Sequence, residues 1–215
     1  MAKGITAMKV LLLSPHTDDV ELSAGATLAK LSQDKSNTFA WAVFSTCEDA
    51  VPQGWPSDTL KKEFTAVASK CGIGTLYIYN FPNKNFPEHR QEIMDNLDQI
   101  KQEFKPDLII APSLNDSHQD HKTIAEESIR VFKKDTSIIG YEMPWSNLIF
   151  QPQLFVRVTP THMEMKWSLL QNYKSQFTLK RNYFSKEFIF GWARMRGVQC
   201  NSEYAEAFEV IRWIT

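Results

Sequence analysis

The chain of 215 residues carries a formal net charge of -1, and its 43% hydrophobic residues suffice for a sizeable core in a single domain. Its lysines and arginines are scattered rather than clustered, which argues against nucleic acid or another polyanionic partner. Cys47, Cys71 and Cys200 are far apart and form no Cys-x-x-Cys pair, so neither a disulfide framework nor a sulfur zinc site is indicated, and a reducing cytoplasm fits.

Nothing in the chain approaches the roughly 18 apolar residues of a membrane span, so a soluble protein is expected, with residues 1–7 as a loose N-terminal extension. Met8 to Leu13 is a continuous apolar run of the kind that forms a strand buried on both faces. It ends in Ser14-Pro15-His16-Thr17-Asp18-Asp19-Val20-Glu21, and a helix is predicted over Leu22 to Leu31 with Ser23 as its N-cap. Thr38 to Ser45 reads as the second strand, and the Pro- and Gly-containing stretch 46–56 after it is long enough for a lid or substrate loop. A helix capped by Ser57 or Asp58 and stopping at Cys71-Gly72 leads to a third strand, Thr75 to Tyr79.

The stripe Ile93, Leu97, Ile100 and Phe104 predicts a helix from about His89 to Phe104. Asp107 to Ala111 is the fourth strand, followed by Ser113-Leu114-Asn115-Asp116-Ser117-His118-Gln119-Asp120-His121 and a helix through Ile124, Ala125 and Ile129. Ser137 to Tyr141 makes a fifth strand. This βα alternation predicts an α/β, Rossmann-like doubly wound, mostly parallel sheet with helices on both faces. The remainder is less regular: a strand at Leu154 to Val158, helices at Thr161 to Tyr173 and Ser185 to Met195, and a last strand or helix after Tyr204. These final 70 or so residues either wall a site or form a subunit contact.

Chemistry concentrates in two turns, each at the carboxyl end of a strand, where open α/β sheets bind ligands. In the common order 3-2-1-4-5 the first and fourth strands are neighbours, so the two turns share one crevice. His16, Asp19 and His121 can then hold a divalent ion with positions left open for water and substrate, as catalytic sites require. Asp18 is the natural base for the water, and His118 is placed to polarise a carbonyl or stabilise its oxyanion. Asp120 would orient His118 and favour its charged form. His89 and His162 have no such company and read as surface or helix-start residues. The first turn lacks Gly-x-Gly-x-x-Gly, offering only Gly25, which speaks against a dinucleotide.

Pro15-His16-Thr17-Asp18-Asp19-Val20-Glu21 resembles the first motif of the PIG-L/LmbE-like zinc-dependent N-deacetylases, and His118-Gln119-Asp120-His121 resembles their second. Tyr173-Lys174-Ser175-Gln176-Phe177 and Tyr204-Ala205-Glu206-Ala207-Phe208 are similar to C-terminal segments of that family. The resemblance implies a Rossmann-like fold, often homo-oligomeric, and zinc held by His16, Asp19 and His121, although Fe2+ or Co2+ would suit the same ligands. It implies Asp18 as base, His118 as oxyanion stabiliser with Asp120 as its partner, and an amino-sugar or glycoconjugate acetamide as substrate. Thr17 and Val20 depart from the common motif. Lys61 stands where the family carries a substrate-contacting arginine, and lysine lacks the bidentate fork. Trp55, Trp145 and Trp192 are candidates for stacking on a sugar, and Glu142 for facing the crevice. The competing readings are a metal-dependent amidase on a non-sugar substrate and a non-catalytic Rossmann-like binding or assembly domain.

Overall fold

The computed structural model describes residues 7–215; the extension expected at residues 1–7 lies, apart from Ala7, outside the described residues. Strands β1 (Lys9–Ser14), β2 (Thr38–Val43), β3 (Thr75–Ile78), β4 (Leu108–Pro112) and β5 (Ser137–Tyr141) run parallel, and β6 (Leu154–Val158) and β7 (Tyr204–Arg212) close one side antiparallel. The sheet order is β3-β2-β1-β4-β5-β7-β6, which contains the expected 3-2-1-4-5. Between them lie helices α1 (Asp19–Leu31), α2 (Thr59–Lys70), α3 (Arg90–Phe104), α4 (Gln119–Phe132), α5 (Pro160–Leu170), α6 (Lys174–Phe177) and α7 (Lys186–Val198).

The unbroken apolar run of β1 follows from its two covered faces. Val10 and Leu12 join one core with Trp41, Ile110 and the inner sides of α1, α2, α5 and α7. Leu11 and Leu13 point the other way, into a second core with Ala40, Ile109 and the apolar stripes of α3 and α4. A three-layer sandwich results. Winding reverses between β1 and β4, and the crevice above that switch point is where the two chemical turns emerge.

The C-terminal part secures this frame. The Glu206 carboxylate of β7 accepts from the backbone amides of Ala26 and Thr27 within α1, at 3.0 and 2.6 Å, and pairs with buried Lys166 at 2.6 Å. Gly25 is required there: a Cβ on it would lie 2.9 Å from Lys166 Cγ. The helix expected from Thr161 to Tyr173 stops at Leu170, and Tyr173 falls in the break before α6. Helix α1 begins three residues earlier than expected. Ser23 is accordingly inside the helix, where its hydroxyl donates to the Asp19 carbonyl rather than capping.

Candidate active site

Ser14 ends β1 and Asp19 is already the first residue of α1, so His16 to Asp18 form a tight strand-to-helix turn. Two contacts fix it. The His16 amide donates to Asp19 Oδ2 at 2.7 Å. The buried Tyr173 hydroxyl lies against both the Thr17 carbonyl and Glu21 Oε1. One hydroxyl hydrogen cannot serve both. Burial pushes the Glu21 carboxyl well above its ordinary value, against the opposing pull of the Tyr173 hydroxyl. In the second turn His118 is the N-cap of α4, its Nδ1 accepting from the Asp120 amide at 3.2 Å.

The turns meet as the sequence implied. His16 Nδ1, Asp19 Oδ2 and His121 Nε2 form a nearly equilateral triangle with sides of 3.3, 3.4 and 3.3 Å. Atoms bound about 2.0–2.1 Å from one tetrahedral zinc ion are separated by about 3.3–3.4 Å, so the triangle has the dimensions of a metal-binding face. Its hydrogen-bonding agrees. The outer nitrogens of both imidazoles face carboxylates, His16 Nε2 to Asp120 at 2.9 Å and His121 Nδ1 to Asp116 at 2.8 Å. With protons on those outer nitrogens, the inner nitrogens present bare lone pairs to each other and to Asp19, a set that a cation satisfies.

The electrostatics agree. Burial would push the His16 imidazole down, but Asp19 and Asp120 outweigh it and raise it well above its ordinary value. Burial would raise Asp19, yet His121 and His16 hold it down at about 2. The cluster attracts positive charge. A second donor group, His16, His118 and Asp120, is also compact, but its atoms are engaged: Asp120 takes His16 and the amides of Lys84 and Phe86, at 2.9, 2.7 and 3.2 Å, and His118 Nδ1 takes the Asp120 amide.

Asp18 and His118 line the same cleft of about 220 Å³ as the triangle. Burial and the neighbouring Asp19 carboxylate push Asp18 up to about 6, against the pull of Arg181 and His16. That places it where a general base is effective near neutral pH. Burial, with His121 and His16 beside it, brings His118 down to about 4. Its expected charged form is therefore corrected: His118 is a neutral imidazole, and with Nδ1 accepting from the Asp120 amide its hydrogen sits on Nε2, a donor. Asp120 does favour the charged form of His118 but is outweighed, and its carboxylate bonds to His16 while its amide donates to His118.

The substrate-side expectations fare unevenly. Trp145 lines the cleft and stacks on Tyr183, with ring centroids 4.0 Å apart and planes 11° from parallel. Lys61 does not line it; α2 turns that residue into a separate shallow groove with Glu48, Asp58 and Lys62. Glu142 is buried, and accepts from Arg196 Nε at 2.9 Å and Trp192 Nε1 at 2.8 Å, fastening α7 behind the wall rather than facing ligand. Trp192 is spent on that contact, and Trp55 lies outside the cleft lining. His162 completes the capping box of α5 and His89 pairs with Glu92, as bystanders would. Of the stretch 46–56, Cys47 and Ala50 reach the cleft, and burial keeps the Cys47 thiol protonated by pushing it up to about 11. Sequence reasoning missed Asp116, Lys84, Arg181 and Tyr183. Asp116, five positions before His121, was the one within reach of motif reading.

Residues 11–132 match the family model described as PIG-L, GlcNAc-PI de-N-acetylase. The chain belongs to the PIG-L family. It is 28% identical over 171 residues to the uncharacterized deacetylase YaiS of Escherichia coli (strain K12), covering 77% of this chain and 90% of that protein. Its fold is similar to that of N,N'-diacetylchitobiose deacetylase from Pyrococcus horikoshii, with a TM-score of 0.79 and 21% identity over 95% of this chain and 84% of that one. It is also similar to that of GalB, the 4-carboxy-2-hydroxymuconate hydratase of Pseudomonas putida KT2440, with a TM-score of 0.76 and 17% identity over 97% of this chain and 98% of the other. The fold thus serves more than one reaction, and the side chains of the site choose between them.

Proposed function

We propose that this PIG-L family protein is a metal-dependent N-deacetylase that hydrolyses the acetamide of an N-acetyl amino sugar or glycoconjugate. The observation that carries the reading is the 3.3–3.4 Å triangle of His16, Asp19 and His121 beside a base and a neutral donor in one cleft. A divalent ion there, zinc in the first instance, would supply a Lewis acid that acidifies water and polarises an amide carbonyl. Asp18 takes the proton from the attacking water as the new C–O bond forms. His118 Nε2–H donates to the carbonyl oxygen as it becomes an oxyanion, and being neutral beforehand it adds no charge that repels the ion. Asp18 then returns its proton to the departing nitrogen as the C–N bond breaks, leaving acetate and a free amine.

Asp120 and Asp116 act through the ligands, accepting from the outer nitrogens His16 Nε2 and His121 Nδ1 so that the inner nitrogens would be turned to a bound ion. The fold likeness to a chitobiose deacetylase and the stacked Trp145–Tyr183 wall support a sugar over another amide. Release of acetate from a panel of N-acetylated sugars and simple amides tests the reading. Zinc-loaded protein should turn over at least one sugar acetamide, lose activity to chelator and regain it with zinc. Asp18→Asn should keep its zinc and lose about 10²–10⁴-fold in kcat. Full activity in Asp18→Asn, or acetate release from non-sugar amides alone, would contradict it.

A further inference from the structure

The cleft wall carries two cations beyond the metal triangle, one of which, Arg181, also draws the Asp18 carboxyl down. Arg181 comes from the segment between α6 and α7 and Lys84 from the turn after β3, and both line the cleft with His16, Asp18 and His118. Among the described residues neither is ion-paired to a carboxylate, whereas Arg90, Arg130, Arg194 and Arg196 all are. Among the described residues the Arg181 guanidinium makes one hydrogen bond, to the Tyr183 hydroxyl at 2.6 Å, which leaves most of its donors without a partner there.

Lys84 is held through its backbone and Arg181 through its side chain. Lys84 has a left-handed backbone, φ 63°, a conformation unfavourable for a side-chain-bearing residue. Its amide donates to Asp120 Oδ2 at 2.7 Å and its carbonyl accepts from Gln119 at 3.0 Å, so the carboxylate that orients His16 also sets Lys84. Arg181 has its guanidinium carbon 5.8 Å from the centre of the Tyr183 ring, and that ring stacks on Trp145. The wall therefore presents a flat aromatic pair beside a fork of free N–H groups, with a lysine on the same cleft. The aromatic face suits the apolar side of a sugar ring, and the fork suits the paired oxygens of an anion.

We propose that Arg181, with Lys84, receives an anionic group, phosphate or carboxylate, carried by the N-acetylated sugar. The inference rests on the deacetylase reading above and narrows its substrate to an acidic amino sugar. In this chain the charge reader lies in the C-terminal segment, while the position on α2 holds Lys61, which faces away from the cleft.

The test uses zinc-loaded protein and N-acetylglucosamine, its 1-phosphate and 6-phosphate, and N-acetylmuramic acid. At least one anionic sugar should show a KM about tenfold or more below that of N-acetylglucosamine, and the class that does so, phosphate or carboxylate, identifies the group. In Arg181→Gln that preference should shrink to within about twofold, while Lys61→Gln should keep it. Because zinc is the same in both proteins, the difference isolates the side chain from any anion held by the ion. Calorimetric binding of the same sugars to zinc-loaded Asp18→Asn, with and without Arg181→Gln, separates the two claims. Tighter anionic binding that depends on Arg181 with no acetate released from any sugar would sink the deacetylase reading and leave the anion subsite standing. Equal affinity for neutral and anionic sugars, or a preference that survives Arg181→Gln, would overturn the subsite.

Discussion

The first five strands and the last two build different halves of one site. In the parallel half, β1, β4 and β5 are buried along nearly their whole length, and the turns and helix starts after β1 and β4 deliver His16, Asp18, Asp19, His118 and His121. In the antiparallel half β6 is only partly covered, and the chain around it contributes no member of the metal triangle. It contributes instead the Tyr173 hydroxyl under the first turn, the Glu206–Lys166 pair against α1, and the Arg181–Tyr183–Trp145 wall. The reacting groups need the fixed geometry of a switch point between doubly buried strands. Groups that hold that geometry, or that meet a variable part of the substrate, can come from less regular chain. Reaction chemistry and substrate choice are therefore placed on separable segments.

If the second half secures the first, its buried ion pair is the place to break it. Glu206→Ala leaves the Lys166 ammonium, 1% exposed, without its partner and strips the acceptor from two amides in α1. Unfolding free energy should fall by about 3–5 kcal/mol in denaturant titrations. A loss below about 1 kcal/mol would mean that β7 does not fasten α1.

A smaller effect is expected inside the first half. Asp116→Asn removes the charge that fixes the His121 tautomer while leaving the triangle intact, and zinc affinity should weaken about 10–100-fold by competition with a fluorescent chelator. Unchanged affinity would show that Asp116 packs without orienting.

The smallest expected change is with pH, and its sign follows from His16. The folded-state imidazole is raised well above 6.5, so its proton stabilises the metal-free fold below the unfolded value and that contribution is lost as pH rises through the raised folded value. A metal must displace the proton, so zinc affinity should rise with pH, by up to about tenfold per unit while His16 remains protonated. The difference in Tm between zinc-loaded and metal-free protein should widen from pH 6 towards pH 8; a constant difference would contradict this.

The two halves were also unequally legible in the sequence. Buried parallel strands leave apolar runs such as Val10 to Leu13, and motif residues sit directly after them, so strand order and the triangle could be read from local pattern. Glu206, by contrast, meets Ala26 across 180 positions, and nothing near either residue announces the contact. Arg181 follows the four-residue helix α6 in a stretch without periodicity, and Lys84 stands at a left-handed position in the loop after β3, where no periodic pattern marks it. Lys61 misled for the opposite reason: its place on α2 was readable, but the helix face it occupies was decided by Leu60, Phe64 and Val67 packing inward. Asp120 was assigned to its sequence neighbour His118, while the fold gives its carboxylate to His16, 104 positions away.

The most direct test of the metal centre is a calorimetric titration of zinc into chelator-stripped protein, run on wild type, His16→Ala and His121→Ala. The wild type should bind one ion per chain, with affinity falling by about 100-fold or more in either variant. Failure of the wild type to take up zinc, or variants that bind it as tightly as wild type, would contradict the site.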